Sequence, residues 1–185
     1  MPLRFERQPI RDVVLIHTTR RGDPRGWFAE TYKRSEFAAA GLLVDFVQDN
    51  ESFSTETGTI RGLHYQAPPY SQGKLVSCLA GAIYDVAVDM RSASETFGKW
   101  IGVQLRATDG VLIWIPTGFA HGFQTLEPDT HIAYKVTVEY EPSSESGIRW
   151  DDPVLAIEWP IRKAVVSARD QALPAWEPSS SPFDR

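Results

Sequence analysis

Hydrophobic and polar residues alternate in short runs through most of the chain, and clusters of turn-forming residues separate these runs. Successive side chains of a β-strand point to opposite faces, so such alternation is typical of strands with one buried face. We predict strands at VVLIHT, DFVQDNESFS, TIRGLHYQ, GKLVSCLAG, AIYDVAVDM, KWIGVQL, VLIWIP, HGFQTL and HIAYKVTVEY. The turns between them include Gly81-Ala82, Asp109-Gly110, Pro116-Thr117-Gly118 and Pro128-Asp129. Many short strands at this spacing predict an all-β protein, built as a closed barrel or as two antiparallel sheets.

Other parts of the chain break the strand pattern. Residues 35–41 (SEFAAAG) begin with a serine suited to an N-cap, contain three alanines and end in glycine, so they predict one short helix. The segment RRGDPRGW is predicted to be a loop and the FAETY segment after it a strand, while residues 1–20 show a single strand signal, at VVLIHT. From about residue 143 the chain is rich in Pro and Ser. This tail is expected to wrap the barrel with turns and one short helix.

Length and composition favour one domain spanning residues 1–185. Of the 185 residues, 42% are hydrophobic and 23% are charged, which is ordinary for a globular domain with a full core. The net charge is −5 and no basic block occurs, which argues against nucleic acid as a partner, since phosphate contacts need clustered Lys and Arg. A few local cations would still suffice for a small anionic ligand.

The single cysteine and the lack of long apolar runs indicate the compartment. Cys78 lies in the apolar run LVSCLAG and has no second cysteine to pair with, which suits a reducing environment, and we interpret it as a small buried hydrophobe. No apolar run approaches the ~20 residues that a membrane helix needs. The N-terminus also lacks the apolar region of a signal peptide. We therefore expect a cytoplasmic protein with no membrane partner.

The segment GTIRGLHYQAPPYSQGK, residues 58–74, concentrates candidate chemistry. It places Arg61, His64 and Lys74 on or beside one predicted strand, and buried charge needs a partner or a ligand. The cluster predicts an anion site that contains a base, although a lone histidine is more often structural. Strict alternation puts Arg61 and His64 on opposite faces of the strand, whereas a bulge at Gly62 would bring them to one face.

The segment HIAYKVTVEY separates into two faces by parity. One face carries Ile132, Tyr134, Val136, Val138 and Tyr140. We interpret this face as interior, and we expect His131 on the other face to be solvated. Buried tyrosines require hydrogen-bond partners, so Tyr134 either takes part in a site or fills the core with one hydrogen bond. His121, just after a Pro–Gly turn, either faces the same cavity mouth or caps that turn.

Several segments, in order from residue 23 to residue 160, carry a resemblance to one known family. They are DPRGWFAE, FVQDNESFS, RGLHYQAPPYSQGKLV, GAIYDVAVDMR, IPTGFAHGF, AYKVTVEYEPSSESGIRWDDP and IEWP. Together they resemble the dTDP-4-dehydrorhamnose 3,5-epimerases. The resemblance implies an all-β, cupin-type antiparallel jelly-roll barrel with one or a few short helices. It also implies a homodimer that exchanges N-terminal strands, which suits the short strand near residue 15.

The resemblance also implies roles for individual residues. The family's catalytic histidine and tyrosine correspond to His64 in RGLHYQ and Tyr134 in AYK, and the carboxylate that pairs with the histidine corresponds to Asp170 in SARD. Tyr140 corresponds to the residue that stacks on thymine, and Arg169 stands where family members often have Lys. The implied nucleotide and pyrophosphate contacts are Arg25, Phe28, Glu30, Gln48, Asp49, Asn50, Arg61, Lys74, His121, Glu145 and Arg169.

The implied substrate is a dTDP-linked 4-keto-6-deoxyhexose, on the route to dTDP-L-rhamnose or a related deoxysugar, and the implied reaction needs no cofactor. A carbonyl at C4 acidifies the hydrogens at C3 and C5, and an imidazole can remove one near neutral pH. Lys74 or His121 would stabilise the enolate, and Tyr134 would return a proton to the opposite face.

Three alternatives to a 3,5-epimerase stay open. The first is an epimerase that acts at C3 only or at C5 only, and the second is a non-catalytic sugar-nucleotide binder. The third is a metal-dependent cupin oxygenase. Metal-binding cupins supply two histidines as H-x-H, but Leu63-His64-Tyr65 lacks the second one, so we predict no metal site.

Overall fold

The computed structural model describes residues 3–10 and 12–183, and within them the chain forms fourteen β-strands and two short α-helices. The strands are β1 (Arg4–Arg7), β2 (Val14–His17), β3 (Arg21–Asp23), β4 (Gly26–Phe28), β5 (Gln48–Ser54), β6 (Thr59–Gln66), β7 (Lys74–Ala80), β8 (Ala82–Asp89), β9 (Trp100–Arg106), β10 (Val111–Ile115), β11 (Phe119–Thr125), β12 (Thr130–Val136), β13 (Glu145–Gly147) and β14 (Val165–Val166). The helices are α1 (Arg34–Ala39) and α2 (Ala168–Gln171), and single turns of 3-10 helix lie at Pro142–Ser144 and Pro178–Ser180.

Two six-stranded sheets face each other across the core. The first has the strand order β1-β2-β10-β7-β12-β5, and the second has the order β13-β6-β11-β8-β9 with β14 beside β6. Neighbouring strands are antiparallel except for β14 and β6. Val76 and Ile132 of the first sheet meet Ile83 and Phe123 of the second in the shared core. The predicted all-β fold is confirmed, as a cupin-type jelly roll.

The outer faces of both sheets are also covered. Phe37 of α1 packs with Leu75 and Trp114 on the outer side of the first sheet. The tail covers the second sheet, where Leu155 and Phe183 join the cluster around the residues of β8 and β11. Both sheets are therefore buried on two sides over much of their area, which leaves the open end of the roll as the place where a cavity can form.

The structure corrects three predictions in the N-terminal third. The segment RRGDPRGW forms the β3–β4 hairpin rather than a loop, and FAETY is not a strand, because β4 ends at Phe28. Helix α1 begins at Arg34 rather than at the predicted serine cap, Ser35. Lys33 is the N-cap and makes no side-chain capping bond. The burial of Phe37 in an aromatic cluster, rather than a cap, determines where this helix lies.

The terminal strands also differ from the prediction. Strand β1, which the sequence pattern did not reveal, pairs with β2, and β2 pairs in turn with β10 of the same chain. The strand near residue 15 is therefore not a lone strand, and its exchange between subunits stays an untested prediction. Strand β12 ends at Val136, so strand parity does not extend to Tyr140. Cys78 is buried in the core cluster between the sheets, which confirms the prediction of a small buried hydrophobe, and this burial raises the pKa of its thiol to about 11.

Candidate active site

A bulge in β6 turns Arg61 and His64 toward the same space. In the pairing of β6 with β11, His64 lies opposite His121 and Arg61 lies opposite Phe123, so two residues of β6 face one residue of β11. Gly62 has φ +126°, and a Cβ there would lie 2.6 Å from the Cα atom of Gly122. Only glycine fits this backbone without strain. The bulge hypothesis is confirmed, and with it the shared face of Arg61 and His64.

A cavity of about 670 Å³ opens between the two sheets at this point. That volume is in the usual range for a small-molecule site. The predicted site residues on its walls are Arg61, His64, Lys74, His121, Tyr134, Glu145, Arg169 and Asp170. A second cavity of about 310 Å³ adjoins it and shares five of these residues. It adds Gln48, Asn50 and Tyr140 from the predicted set.

His64 is bound to the carboxylate of Asp170. The distance from His64 Nε2 to Asp170 Oδ1 is 2.8 Å, and Asp170 Oδ2 accepts a hydrogen bond of 3.2 Å from the backbone N–H of Gly62. Burial lowers the pKa of His64 below the ordinary value, and Asp170 raises it in part again. At neutral pH the imidazole is therefore uncharged and able to accept a proton, which is what a general base requires.

Tyr134 lies on the same face of β12 as the core residue Ile132, with its ring partly buried against the core. Its side chain lines the cavity that also holds His64. Burial raises the pKa of Tyr134, and Arg61 partly offsets this effect. Within the described part of the chain its hydroxyl group makes no hydrogen bond. The phenol at the cavity wall is therefore protonated and free to donate a hydrogen bond or a proton to a ligand.

Lys74 begins β7 and lines both cavities. Burial lowers the pKa of Lys74 to about 8, and the carboxylates of Asp85 and Glu145 act in the opposite direction at longer range. Among residues 3–10 and 12–183 its ammonium group has no recorded hydrogen bond or ion pair. A partly buried cation without a protein partner indicates that the cavity receives negative charge from a ligand or from a reaction intermediate.

A second histidine–carboxylate pair lies deeper in the wall. His121 lines the cavity rather than capping the turn, and its Nε2 lies 2.9 Å from Oδ2 of Asp85. Both side chains are buried. Asp85 was not among the predicted site residues. An aspartate within the apolar strand β8 is nevertheless a recognisable signal, because a buried carboxylate needs a partner.

Glu145 joins Tyr140 and Arg169 between the two cavities. Its Oε2 accepts a hydrogen bond from the Tyr140 hydroxyl and lies 2.5 Å from the Arg169 guanidinium. Burial raises the pKa of Glu145, whereas the hydrogen bonds from Tyr140 and Arg169 lower it. The lowering is the larger effect, so the pKa of Glu145 lies below its usual value. Gln48 accepts a hydrogen bond from the backbone N–H of Tyr140 and donates one to Asn50, and all five of these residues line the smaller cavity.

A family model matches nearly the whole chain. The model of the dTDP-4-dehydrorhamnose 3,5-epimerase family covers residues 7–178. The chain belongs to this family. The resemblance carried by the sequence segments is confirmed, and the protein is an epimerase of the dTDP-4-dehydrorhamnose 3,5-epimerase type.

Relatives support the same assignment. The dTDP-4-dehydrorhamnose 3,5-epimerase of Sinorhizobium fredii is 46% identical over 172 residues, which cover 92% of this chain and 88% of the relative. The Bacillus anthracis epimerase structure with TDP and PPi bound has a TM-score of 0.92 at 42% identity, covering 94% of this chain and 99% of that one. The Legionella pneumophila dTDP-6-deoxy-D-glucose-3,5-epimerase, in complex with dTDP-4-keto-L-rhamnose, has a TM-score of 0.88 at 41% identity, covering 95% and 99%.

Four of the residues that the family resemblance implies as substrate contacts lie away from both cavities. Arg25 and Phe28 are on the exposed β3–β4 hairpin, and Glu30 follows it. Arg25 forms an ion pair of 2.6 Å with Asp23, and Phe28 is 68% exposed. Asp49 points to the opposite side of β5 from its neighbours and forms an ion pair of 2.8 Å with Lys135.

Three further findings concern the rest of the described chain. Its His, Cys, Asp and Glu side chains include no group of three arranged to hold a metal ion. None of its helices has both the length and the apolar character needed to cross a membrane. His131, expected to be solvated, is partly exposed and lies 3.0 Å from Glu51.

Proposed function

We propose that this epimerase inverts C3 and C5 of a dTDP-linked 4-keto-6-deoxyhexose, with His64 as the base and Tyr134 as the acid. The observation that carries the proposal is the placement of these two side chains in one cavity. His64 is bound to the carboxylate of Asp170, and the hydroxyl of Tyr134 has no hydrogen-bond partner among the described residues. A ketone at C4 acidifies the neighbouring C–H bonds, so abstraction at C3 and at C5 leads through the same type of enolate.

The contact with Asp170 determines which ring nitrogen of His64 carries the proton. A carboxylate accepts hydrogen bonds, so Nε2 of His64 donates to Asp170 and Nδ1 keeps the lone pair that takes the substrate proton. Inversion then needs a proton from the other side of the sugar ring. Tyr134 comes from the facing sheet, on β12, whereas His64 comes from β6. A sugar ring between the sheets would present opposite faces to the two groups.

The enolate oxygen requires positive charge or hydrogen-bond donors, and Lys74 supplies the charge. Its ammonium has no recorded protein partner within the described residues, so it is available to the oxygen at C4 without breaking an existing ion pair. His121 lies on the same cavity wall and supplies a second polar group. Preorganised groups of this kind commonly stabilise the transition state by several kcal/mol, roughly 10²–10³-fold in rate for one donor.

The adjoining cavity suits the nucleotide half of the substrate. It brings together Gln48, Asn50, Tyr140 and Arg169, which offer amide hydrogen bonds, an aromatic ring and a guanidinium group. These groups match a pyrimidine base and a diphosphate. The ligands of the relatives, TDP in the Bacillus anthracis structure and dTDP-4-keto-L-rhamnose in the Legionella pneumophila structure, are of this type.

A homodimer would complete the site. Arg25, Phe28 and Glu30 lie outside both cavities of their own chain, on or beside a hairpin that extends into solvent. We place this hairpin over the nucleotide cavity of a second copy, where an arginine and an exposed aromatic ring would contact the diphosphate and the base. Exchange of strand β2, which pairs with β10 of its own chain here, stays a separate prediction for the same dimer. A cytoplasmic location is likewise proposed, supported by the free, buried cysteine.

Proton exchange with solvent tests the proposed reaction. The wild-type protein is incubated with dTDP-4-keto-6-deoxyglucose in heavy water, and the sugar is followed by NMR. The proposal predicts deuterium at both C3 and C5, with inversion at both carbons. Deuterium at one carbon only would show a 3-only or 5-only epimerase instead, and binding of dTDP without any exchange would show a sugar-nucleotide binder.

A further inference from the structure

The short tail helix α2 presents Asp170 to His64 in an unusual way. Ser167 is its N-cap, and the Ser167 hydroxyl accepts a hydrogen bond of 3.1 Å from the backbone N–H of Asp170. The order Ser-Ala-Arg-Asp has the spacing of a capping box, in which the acidic side chain normally returns to the N–H of the cap residue. Here the carboxylate of Asp170 extends to His64 and to the N–H of Gly62 instead.

The segment before α2 is docked on the strand that carries the base. Strand β14 runs parallel to β6, with Val165 opposite Thr59 and Val166 opposite Ile60. The side-chain amide of Gln171 donates a hydrogen bond of 2.9 Å to the carbonyl oxygen of Val166. Ser167 is thus the single residue between a strand fixed to β6 and the helix turn that carries Asp170.

We infer that Ser167 is a positioning residue for the base, because its hydroxyl fixes the backbone of Asp170 and so sets the contact between Asp170 and His64. This inference rests on the proposed role of His64. A helix of four residues is too short to be stable by itself, so a capping bond has a large effect on its geometry. Ser167 also lines the cavity, close to the groups whose arrangement it controls.

A weaker contact between Asp170 and His64 would change the pH dependence of the reaction. Burial lowers the pKa of His64 and Asp170 raises it, so a looser contact leaves the pKa of His64 lower still. The base must be uncharged to act, and the acid limb of kcat/KM therefore moves to lower pH when the contact weakens. The other groups that face His64 come from six elements, and of these only Arg169 shares α2 with Asp170 and would move with it. These are Lys74 from β7, His121 from β11, Tyr134 from β12, Glu145 from β13, Arg61 from β6 and Arg169 from α2.

Three variants test the inference: Ser167→Ala, Ser167→Thr and the control Ser180→Ala. Threonine retains the capping hydroxyl. Ser180 donates to the carbonyl oxygen of Glu177 in another single-turn helix of the same tail, outside the cavity. In Ser167→Ala we expect kcat to fall about 3- to 30-fold, the factor that corresponds to the free energy of a lost N-cap. We also expect the acid limb of the kcat/KM profile to move to lower pH. Ser167→Thr is expected to restore both properties, and Ser180→Ala to behave like the wild type.

An NMR titration of the His64 ring, without substrate, separates this inference from the proposed reaction. The ring signal is assigned by its loss in His64→Asn. A lower pKa of His64 in Ser167→Ala, restored in Ser167→Thr, supports the positioning role even if the wild type fails to exchange substrate protons. An unchanged pKa and an unchanged acid limb, with only a lower melting temperature, would show that Ser167 is a structural cap and would overturn the inference.

Discussion

Lys74 is the clearest case of a site residue that lowers the stability of the fold. It lies on β7 next to Leu75 and Val76, both of which are buried in the core clusters. Its pKa falls to about 8 because burial disfavours the charged form. Within the described residues no carboxylate forms an ion pair with it. A lysine in this position is explained by the charge that the proposed enolate needs, and not by packing.

The substitution Lys74→Met should therefore stabilise the protein while it removes activity. At pH 7 the folded chain holds a disfavoured charge that methionine lacks, so we expect the free energy of unfolding to rise by on the order of 2 kcal/mol. As the pH rises from about 8 toward the ordinary lysine value of 10.5, the folded wild type releases the proton and recovers stability. Urea unfolding at pH 7 and at pH 10 should show the advantage of the variant shrinking.

A surface lysine provides the control for that experiment. Lys135 forms an ion pair with Asp49 on the exposed side of β12, so Lys135→Met should change stability by less than about 1 kcal/mol at either pH. If Lys74→Met lowers the stability at pH 7, then the charge of Lys74 is well accommodated and the account of an unpartnered cation is wrong.

Among the elements, β6 shows how far local sequence determines the site. Its bounds follow directly from alternation, and Gly62 marks the bulge that brings Arg61 and His64 to one face. The contact between His64 and Asp170 joins residues far apart in the chain, so no local pattern predicts it, and only the family resemblance implied it. The β3–β4 hairpin was predicted as a loop because its Gly and Pro residues conceal two strands of three residues each.

The bulge predicts a specific effect of a methyl group at Gly62. Gly62→Ala puts a Cβ against the backbone of Gly122 and also strains a φ of +126°, so we expect a loss of more than about 1 kcal/mol in unfolding free energy. Gly26→Ala is the matched control, because Gly26 has φ +134° but no atom within 4 Å of the added Cβ. Urea unfolding should show a clearly larger loss for Gly62→Ala. Equal losses would mean that backbone strain alone, and not the close approach of β11, requires glycine in the bulge.

For the whole molecule, the proposed homodimer places the exposed hairpin of one copy over the cavity of the other. A mixture of two inactive variants tests this arrangement. His64→Asn keeps a normal hairpin, and the double variant Arg25→Ala/Phe28→Ala keeps a normal cavity. Since half of randomly mixed dimers are hybrids with one complete site, activity should recover to about a quarter of the wild-type level.

The control mixture combines His64→Asn with Tyr134→Phe. Both residues line the cavity of their own chain, so each hybrid site lacks one of the two groups and activity should not recover. If the hairpin mixture also shows no recovery, the hairpin does not act on the cavity of a second copy.

The most direct test of the whole account compares proton exchange and inversion in Tyr134→Phe. The variant keeps the ring that packs against the core and removes only the hydroxyl. His64 still takes the proton, so deuterium from heavy water should enter the sugar at an appreciable rate. Inversion should fall about 10²–10⁴-fold, the usual contribution of a general acid, because reprotonation then returns from the His64 side. His64→Asn, in contrast, should lose both processes. If exchange and inversion fall by the same factor in Tyr134→Phe, or if neither falls, Tyr134 is not the proton donor and the account is contradicted.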